Sequence, residues 1–240
     1  MSRMWPDLVD FEARKRTEIP FILQQLAPYR DPVIFDACLG SGATTLGLKQ
    51  VGIERIISNE LDPGLRESAL DEARKLGIQL DVTDYDWREI PDDLTSKVNV
   101  VVCSGNALTY LFKQSDQLKT LKNFRRILQP GGKLIIDERN YAEHFLRDNG
   151  ASFRHSGTIN YCGKNKVTVR PYYVSPTMVV LEYEHKERGV KAHLVLYPFK
   201  KNELKGLLQE VGFDEIDVFG DYKENVDPKE PEFITYICKK

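Results

Sequence analysis

The 240-residue sequence has no excess of charge of either sign. It contains 34 lysines and arginines against 36 aspartates and glutamates, which gives a formal net charge of −2. Proteins that bind a phosphate backbone do so mainly through an excess of basic side chains. The composition therefore disfavours nucleic acid as a partner and leaves room only for a local basic patch.

Paired cysteines and long apolar runs are also absent from the sequence. The cysteines lie far apart, at Cys38, Cys103, Cys162 and Cys238, without the close spacing of a zinc site. There is no signal peptide and no apolar run near the ~20 residues that a membrane helix needs. We therefore expect a cytoplasmic protein with reduced thiols, no metal and no membrane partner.

A short apolar stretch followed by glycines is the most informative part of the chain. Within residues 32–42, the run 33–35 predicts a strand that is buried on both faces, and Asp36 ends it. Gly40 and Gly42 allow a tight turn and a close approach to a ligand. The helix that follows presents its free N–H groups to the same place, so we predict a binding loop here.

An acidic residue ends the next predicted strand, residues 55–60. Glu60 lies about eighteen residues after Gly42, where an acidic side chain accepts hydrogen bonds from ribose hydroxyls. A dinucleotide fingerprint would need a glycine at Cys38, so a pyrophosphate is disfavoured. The pattern Asp-x-x-x-Gly-x-Gly with an acidic strand end resembles the S-adenosyl-L-methionine (SAM) loop of class I methyltransferases. That resemblance implies SAM as the cofactor.

Strands and helices alternate along most of the chain, which predicts a Rossmann-like α/β fold with a mostly parallel, seven-stranded sheet. We expect residues 1–156 to form the SAM-binding core, with an N-terminal amphipathic helix over residues 7–28. Residues 157–199 show strand-like alternation and predict an antiparallel β insertion that forms a lid. Residues 200–240 then complete the core sheet.

Two polar clusters follow predicted strands, at the edge where an α/β sheet binds its ligands. Asp86 could accept a hydrogen bond from an adenine amino group, and Trp87 could pack against the adenine ring. The structural alternatives are a helix or turn cap for Asp86 and a half-buried anchor for Trp87. Asn106, after Ser104 and Gly105, could hold the methionyl part of SAM or an incoming amine. Its structural alternative is a turn or helix cap.

Arg139 follows the fifth strand and could clamp a carboxylate through its guanidinium group. Its structural alternative is an ion pair with Asp137 or Glu138. Tyrosines of the insertion could line a substrate pocket, although tyrosines in strands usually pack.

Several further motifs resemble the glycine and sarcosine N-methyltransferase family, in order and approximate spacing, over essentially the whole chain. They are Leu8-Val-Asp-Phe-Glu-Ala-Arg-x-x-x-Glu-x-Pro-Phe, Gly105-Asn106 with Leu108 and Leu111, Asp137-Glu-Arg139-Asn140-Tyr141, Leu196-Tyr197-Pro198 and Gly220-Asp221-Tyr-Lys. The Gly-Asn and Arg-Asn-Tyr elements are the most diagnostic, because other class I methyltransferases share the glycine loop but not these.

The resemblance implies a SAM-dependent N-methyltransferase that acts on glycine, sarcosine or both. It implies that Arg139 holds the substrate carboxylate, that Asn106 orients the amino acid, and that Tyr161 and Tyr197 belong to the substrate pocket. It also implies that Arg16 meets the SAM carboxylate, although this basic side of the helix could equally be a solvated face. The expected cofactor-binding set is Arg16, Asp36, Cys38, Gly40, Gly42, Glu60, Leu61, Asp86, Trp87, Ser104 and Gly105.

The N-terminus departs from the family pattern. Family members carry tyrosines ahead of the position of Leu8, whereas here Trp5 is the single aromatic residue, so we expect a shortened or replaced lid. Two alternatives stay open: methylation of another small amine or natural product, and a SAM-binding module without catalysis. Intact Asn106 and Arg139 favour an enzyme. The pattern does not fix the oligomeric state or the number of methyl groups transferred.

Overall fold

The fold was obtained as a computed structural model, and the structure describes residues 7, 11–151, 153, 167–224, 227, 229 and 231–240. Ten strands occur in the described residues. They are β1 (Ile34–Asp36), β2 (Ile56–Asn59), β3 (Asp81–Thr83), β4 (Val98–Cys103), β5 (Leu128–Arg139), β6 (Val167–Ser175), β7 (Met178–His185), β8 (Val190–Leu196), β9 (Glu215–Gly220) and β10 (Phe233–Lys239).

Seven of these strands form one sheet in the order β3-β2-β1-β4-β5-β10-β9. Strands β1 to β5 pair in parallel, and β10 lies antiparallel between β5 and β9. The predicted α/β class and seven-stranded sheet are confirmed. Because the chain order reverses between β1 and β4, the crevice beyond their carboxyl ends is the expected ligand position.

Five α-helices accompany the sheet within the described residues. They are α1 (Phe11–Leu26), α2 (Ala43–Gln50), α3 (Pro63–Leu76), α4 (Gln114–Ile127) and α5 (Glu203–Glu210). Local sequence explains their ends: Asp62 caps α3 by accepting from the Leu65 N–H, and Gly77 ends it with φ +67°. None of the helices in the described part of the chain is long and apolar enough to cross a membrane.

The core lies on both faces of the sheet. Phe35 of β1 belongs to a cluster with Phe124 of α4 and Leu208 of α5, and all three are fully buried. Ile34, its neighbour in β1, belongs instead to a cluster with Ile22 of α1. Consecutive strand residues point to opposite faces, so the absence of polar alternation in β1 reflects burial on both sides.

The insertion is a separate three-stranded antiparallel sheet in the order β6-β7-β8. Its inner face, which includes Val179 and Leu181, forms a third cluster with Tyr141 and with Phe145 of the π-helical turn Ala142–Leu146 that follows β5. These strands fall within the predicted insertion, but residues 157–166 lie outside the described residues. The predicted domain boundaries therefore stay predictions.

Candidate active site

The loop after β1 is shaped by a buried carboxylate. Asp36 accepts a hydrogen bond from the Thr45 hydroxyl at 2.6 Å and another from the Cys38 N–H at 3.2 Å. Burial raises the pKa of Asp36 to about 6. Gly42 has φ +93°, and a Cβ there would lie 3.0 Å from the side chain of Leu46. Asp36 and Gly42 thus fix the shape of the loop, and neither is among the residues on the wall of the cavity described below.

Glu60 ties the glycine loop to the end of β2. Its carboxylate accepts from the Gly40 N–H at 2.8 Å and from the Asp62 N–H at 2.9 Å. Burial raises the pKa of Glu60 above its usual range. This carboxylate also stands on the wall of the cavity described next.

A cavity of about 580 Å³ opens at the carboxyl ends of β1, β2 and β4. This volume falls within the range of small-molecule sites. Its wall is formed by Arg14, Ala37, Cys38, Leu39, Gly40, Ser41, Asn59, Glu60, Leu61, Asp62, Leu65, Tyr85, Asp86, Trp87, Arg88, Ser104, Gly105, Ala107, Tyr110, Leu111 and Leu194. Eight of the predicted cofactor-binding residues are among them: Cys38, Gly40, Glu60, Leu61, Asp86, Trp87, Ser104 and Gly105.

Asp86 and Trp87 line the cavity and also have structural partners. The Arg88 guanidinium donates to Asp86 at 2.6 and 2.9 Å and lowers the pKa of that carboxyl to about 2. Asp86 also caps the short turn that follows by accepting from the Arg88 N–H. The Trp87 indole N–H donates to the Ala37 carbonyl at 2.7 Å, and its ring meets Phe124 edge-on. Both predicted interpretations, ligand contact and local anchor, are compatible with this geometry.

Arg14, not Arg16, is the arginine of α1 that reaches the cavity. Its guanidinium donates to Glu18 at 2.6 Å, to Thr44 at 3.0 Å and to Ser104 at 3.3 Å. Arg16 is exposed and is not among the described residues on the cavity wall. Two residues along a helix turn by roughly 200°, so Arg14 and Arg16 face opposite sides. The role expected of Arg16 stays a prediction, and Arg14 is a second candidate for it.

Asn106 lies directly behind the cavity wall. Its backbone has φ +66°, and its N–H donates to Asp137 at 2.6 Å beside the Gly105 N–H at 2.9 Å. Its side-chain amide donates to the Tyr141 hydroxyl at 2.8 Å and accepts from the Arg139 N–H at 2.9 Å. Asn106 is 5% exposed, and its amide braces the ends of β4 and β5 against each other.

Arg139 is buried and pairs with the residue that immediately precedes β10. Its guanidinium lies 2.5 Å from Glu232, and it also stacks over the Phe233 ring at 4.7 Å. The predicted alternative partners are elsewhere: Glu138 accepts from Tyr236 at 2.7 Å, and Asp137 holds the backbone after β4. Arg139 is not among the described residues that line the cavity.

The two predicted pocket tyrosines have different outcomes. The Tyr197 hydroxyl donates to Glu203 at 2.6 Å, and its ring packs edge-on against Phe112 and Phe199. Tyr197 therefore supports the region from outside the cavity wall as described. Tyr161 lies outside the described residues, as do Trp5 and Leu8.

Sequence reasoning missed several cavity residues. Ser41 is 3% exposed, lines the cavity and has no hydrogen-bond partner within the part of the chain that the structure describes. A buried hydroxyl without a partner is costly, so this atom fits a ligand that supplies one. Its position between two loop glycines was the available signal. Tyr110 and Leu194 also line the wall, and no motif marks them.

Comparison with known proteins defines the class. A family model described as a methyltransferase domain matches residues 34–132, which include the glycine loop and Glu60. A solved SAM-dependent methyltransferase from Clostridium acetobutylicum superposes with a TM-score of 0.72, at 17% identity over 96% of this chain and 92% of that one. The cavity, the buried Ser41 hydroxyl and the carboxylate at Glu60 fit a SAM nucleoside and its amino-acid part. The protein is a class I methyltransferase, and its cofactor is SAM.

Two relatives place the chain more closely. It is 32% identical to a glycine/sarcosine N-methyltransferase of Halorhodospira halochloris over 98% of this chain and 85% of the relative. It is 31% identical to the enzyme of the same name from Aphanothece halophytica, over 98% of this chain and 86% of the relative. The chain belongs to the glycine/sarcosine N-methyltransferase family and is a SAM-dependent N-methyltransferase. The predicted family is confirmed, and the alternative of a non-catalytic SAM-binding module is set aside.

Proposed function

We propose that this enzyme transfers the SAM methyl group to the amine of glycine, of sarcosine, or of both. The observation that carries the proposal is the 32% identity to a glycine/sarcosine N-methyltransferase through 98% of the chain. Similarity of that extent includes the elements that surround the cavity as well as the glycine loop. A small amino acid is therefore the best-supported substrate class.

Bound SAM supplies a methyl group made electrophilic by its sulfonium sulfur. We assign Glu60 to the ribose hydroxyls, and Asp86 with Trp87 to the adenine. Arg14 and Ser41 are assigned to the amino-acid part of the cofactor, in place of Arg16. All five assigned residues lie on the wall of the same cavity, which supports a single extended ligand.

For the substrate, we assign Arg139 to the carboxylate. A guanidinium group presents paired N–H donors that match a carboxylate. Asn106 fixes the main chain at Arg139 through its side-chain oxygen, and Asp137 in turn fixes Asn106. This chain of hydrogen bonds supports a carboxylate ligand held in a defined place at the end of β5. Tyr161 stays in the proposed pocket on the family resemblance alone.

The protein contributes position more than proton chemistry. Only an amine without its extra proton has the lone pair that accepts a methyl group, so turnover should rise toward alkaline pH as free amine accumulates. Holding the amine and the methyl group in line lowers the barrier by removing the entropy cost of their encounter. On this assignment Tyr197 acts through packing, because its hydroxyl already donates to Glu203.

The test is mass spectrometry of the products after incubation with SAM and glycine, sarcosine or dimethylglycine separately. Arg139→Ala should raise the KM for glycine at least about tenfold, with the SAM affinity kept. Arg147→Ala is the matched control, because Arg147 lies shortly after Arg139 in the chain but its side chain is 56% exposed. An unchanged KM in Arg139→Ala would refute the carboxylate assignment. Product from another amine only would reassign the substrate.

We also propose a cytoplasmic enzyme without a nucleic-acid or membrane partner. Cys38, Cys103 and Cys238 are free thiols in the structure, which suits a reducing compartment. The near-neutral charge balance of −2 supports a small-molecule substrate over a polyanion.

A further inference from the structure

Tyr110 lies on the cavity wall, close to both parts of the proposed ligand set. It ends the short 3₁₀ turn Ala107–Tyr110, which begins directly after Asn106. Its side chain interacts electrostatically with Glu60, which we assign to the ribose of SAM, and with Arg139, which we assign to the substrate carboxylate. The Tyr110 hydroxyl is therefore near the place where the methyl group and the amine have to meet.

The hydroxyl of Tyr110 makes no hydrogen bond within the part of the chain that the structure describes. Other tyrosines of this region use their hydroxyls inside the protein: the partners are Asn106 for Tyr141, Glu203 for Tyr197, Asp137 for Tyr222 and Glu138 for Tyr236. Tyr110 is also 46% exposed, so its hydroxyl is open to a partner from outside the chain. A polar group of this kind on a cavity wall suits a ligand.

The turn that carries Tyr110 is fixed by its neighbours. The Thr109 hydroxyl donates to the Asn106 carbonyl at 2.6 Å. The Thr109 carbonyl accepts from the N–H of Tyr197, the residue that follows β8, at 2.8 Å. Thr109 is fully buried. A side chain on a turn held in this way is placed before the ligand arrives, as the alignment of two reacting groups requires.

We infer that Tyr110 is a catalytic residue whose hydroxyl oxygen accepts a hydrogen bond from the free amine of the substrate and thereby turns the nitrogen lone pair toward the SAM methyl group. This inference rests on the proposed function, in which a small amino acid accepts the methyl group. The lone pair forms the new N–C bond while the C–S bond breaks, and the electrons of the broken bond stay on sulfur. The products are S-adenosylhomocysteine and an N-methylated ammonium group, which later loses its extra proton to water.

A neutral phenol suits this role. Partial withdrawal from bulk water raises the pKa of Tyr110, so the hydroxyl keeps its proton in the alkaline range where free amine accumulates. It therefore acts as a hydrogen-bond acceptor and not as a base. The nitrogen becomes positively charged as the N–C bond forms, which makes its N–H groups stronger donors. An interaction that strengthens in the transition state raises kcat.

The proposed contact depends on the number of hydrogens that the amine carries. The free amine of glycine has two N–H groups, that of sarcosine has one, and that of dimethylglycine has none. Glycine and sarcosine can each donate to Tyr110 while the lone pair faces the methyl group. Dimethylglycine would place a methyl group against the hydroxyl instead. We therefore expect methylation to stop at dimethylglycine.

The first test measures dissociation constants by calorimetry, in alkaline buffer, on full-length protein saturated with S-adenosylhomocysteine. Tyr110→Phe removes only the hydroxyl. It should raise the Kd of glycine and of sarcosine about three- to tenfold, and leave those of acetate and dimethylglycine within about twofold of wild type. Tyr173→Phe is the matched control, because it makes the same change on β6, outside the set of described residues that line the cavity. It should leave all four constants as in wild type.

Turnover supplies a second readout. Tyr110→Phe should lower kcat for glycine and sarcosine at least about tenfold, while the Kd of SAM stays within about twofold of wild type. The urea midpoint should stay unchanged, because the hydroxyl has no partner among the described residues. An equal loss of affinity for acetate or dimethylglycine, a parallel loss of SAM affinity, or unchanged constants for glycine and sarcosine would overturn the inference.

The two proposals fail in different ways. If the wild type methylates glycine and Arg139→Ala raises the KM, but Tyr110→Phe changes neither the Kd nor the kcat for glycine, the proposed function stands and the role of Tyr110 falls. If no glycine or sarcosine product forms, but Tyr110→Phe slows methylation of another amine that carries an N–H group, the role of Tyr110 stands and the substrate assignment falls.

Discussion

Replacement of Arg14 by glutamine tests the assignment that differs most from the sequence-based expectation. The Arg14 side chain is 12% exposed and that of Glu18 is 1% exposed, so the substitution leaves a buried carboxylate without its cation. Removing one partner of a buried pair costs about 3–5 kcal/mol. The Thr44 and Ser104 hydroxyls still donate to Glu18, at 2.6 and 3.1 Å. We therefore expect Arg14→Gln to lower the free energy of unfolding by about 2–3 kcal/mol.

The same substitution should weaken SAM binding. A charge-assisted hydrogen bond to a carboxylate contributes about 1.5–3 kcal/mol, which corresponds to a roughly 10- to 100-fold rise in the Kd of SAM. Calorimetric titration well below the unfolding transition separates this loss from the stability change, which urea unfolding measures.

Arg16→Gln is the matched control, because it removes the same charge from the same helix. Arg16 is exposed, so its substitution should change the free energy of unfolding by less than about 0.5 kcal/mol. The Kd of SAM should stay within about twofold of wild type. The assignment would be refuted if Arg16→Gln weakened SAM binding as much as Arg14→Gln, or if Arg14→Gln left the Kd unchanged.

Three further predictions concern the loop and the sheet. Ser41→Ala should raise the Kd of SAM about three- to tenfold in calorimetry. It should nevertheless raise the free energy of unfolding by up to about 1 kcal/mol, because it removes a buried hydroxyl that has no partner among the described residues. Gly42 and Gly52 have nearly the same positive φ, +93° and +92°, but only at Gly42 would an added Cβ meet the Leu46 side chain, at 3.0 Å. Urea unfolding should therefore show that Gly42→Ala is less stable than Gly52→Ala by about 1–2 kcal/mol. Burial raises the pKa of Glu138 to about 8, so the native state binds this proton more tightly than the unfolded state does. The free energy of unfolding of the wild type should therefore fall as pH rises from about 4.5 to 8. Glu138→Gln should flatten this fall in urea midpoints.

Local sequence pattern was sufficient to predict the fold and to place the glycine loop beside Glu60. The apolar run before Asp36 and the spacing to Glu60 are set by backbone geometry over fewer than about thirty residues, and such short-range signals survive tertiary packing. The structure brings Gly40 and Glu60 into direct hydrogen-bond contact, as expected of neighbouring parallel strands. The alternation of strands and helices likewise determined the parallel order of the first five strands.

The substrate end depends on contacts that no local pattern encodes. Arg139 and Glu232 are 93 residues apart in the chain, and they meet only because β10 inserts next to β5. The rotation of α1 about its own axis is a subtler case. The basic run 14–16 is visible in the sequence, but the docking of the helix on the glycine loop decides which arginine faces inward. Tyr110 reaches the cavity from a short turn that has no periodicity to detect.

Both arginines assigned to ligand carboxylates are paired in advance with buried glutamates, Arg14 with Glu18 and Arg139 with Glu232. On the proposed assignment this similarity has a chemical reason, because the amino-acid part of SAM and a free amino acid both carry an ammonium group beside a carboxylate. A lone buried arginine would favour any anion, whereas a neutral pair favours a ligand that is itself neutral overall. Buried pairs are also screened little by salt. Affinities for both ligands should therefore depend far less on ionic strength than an exposed arginine clamp would allow.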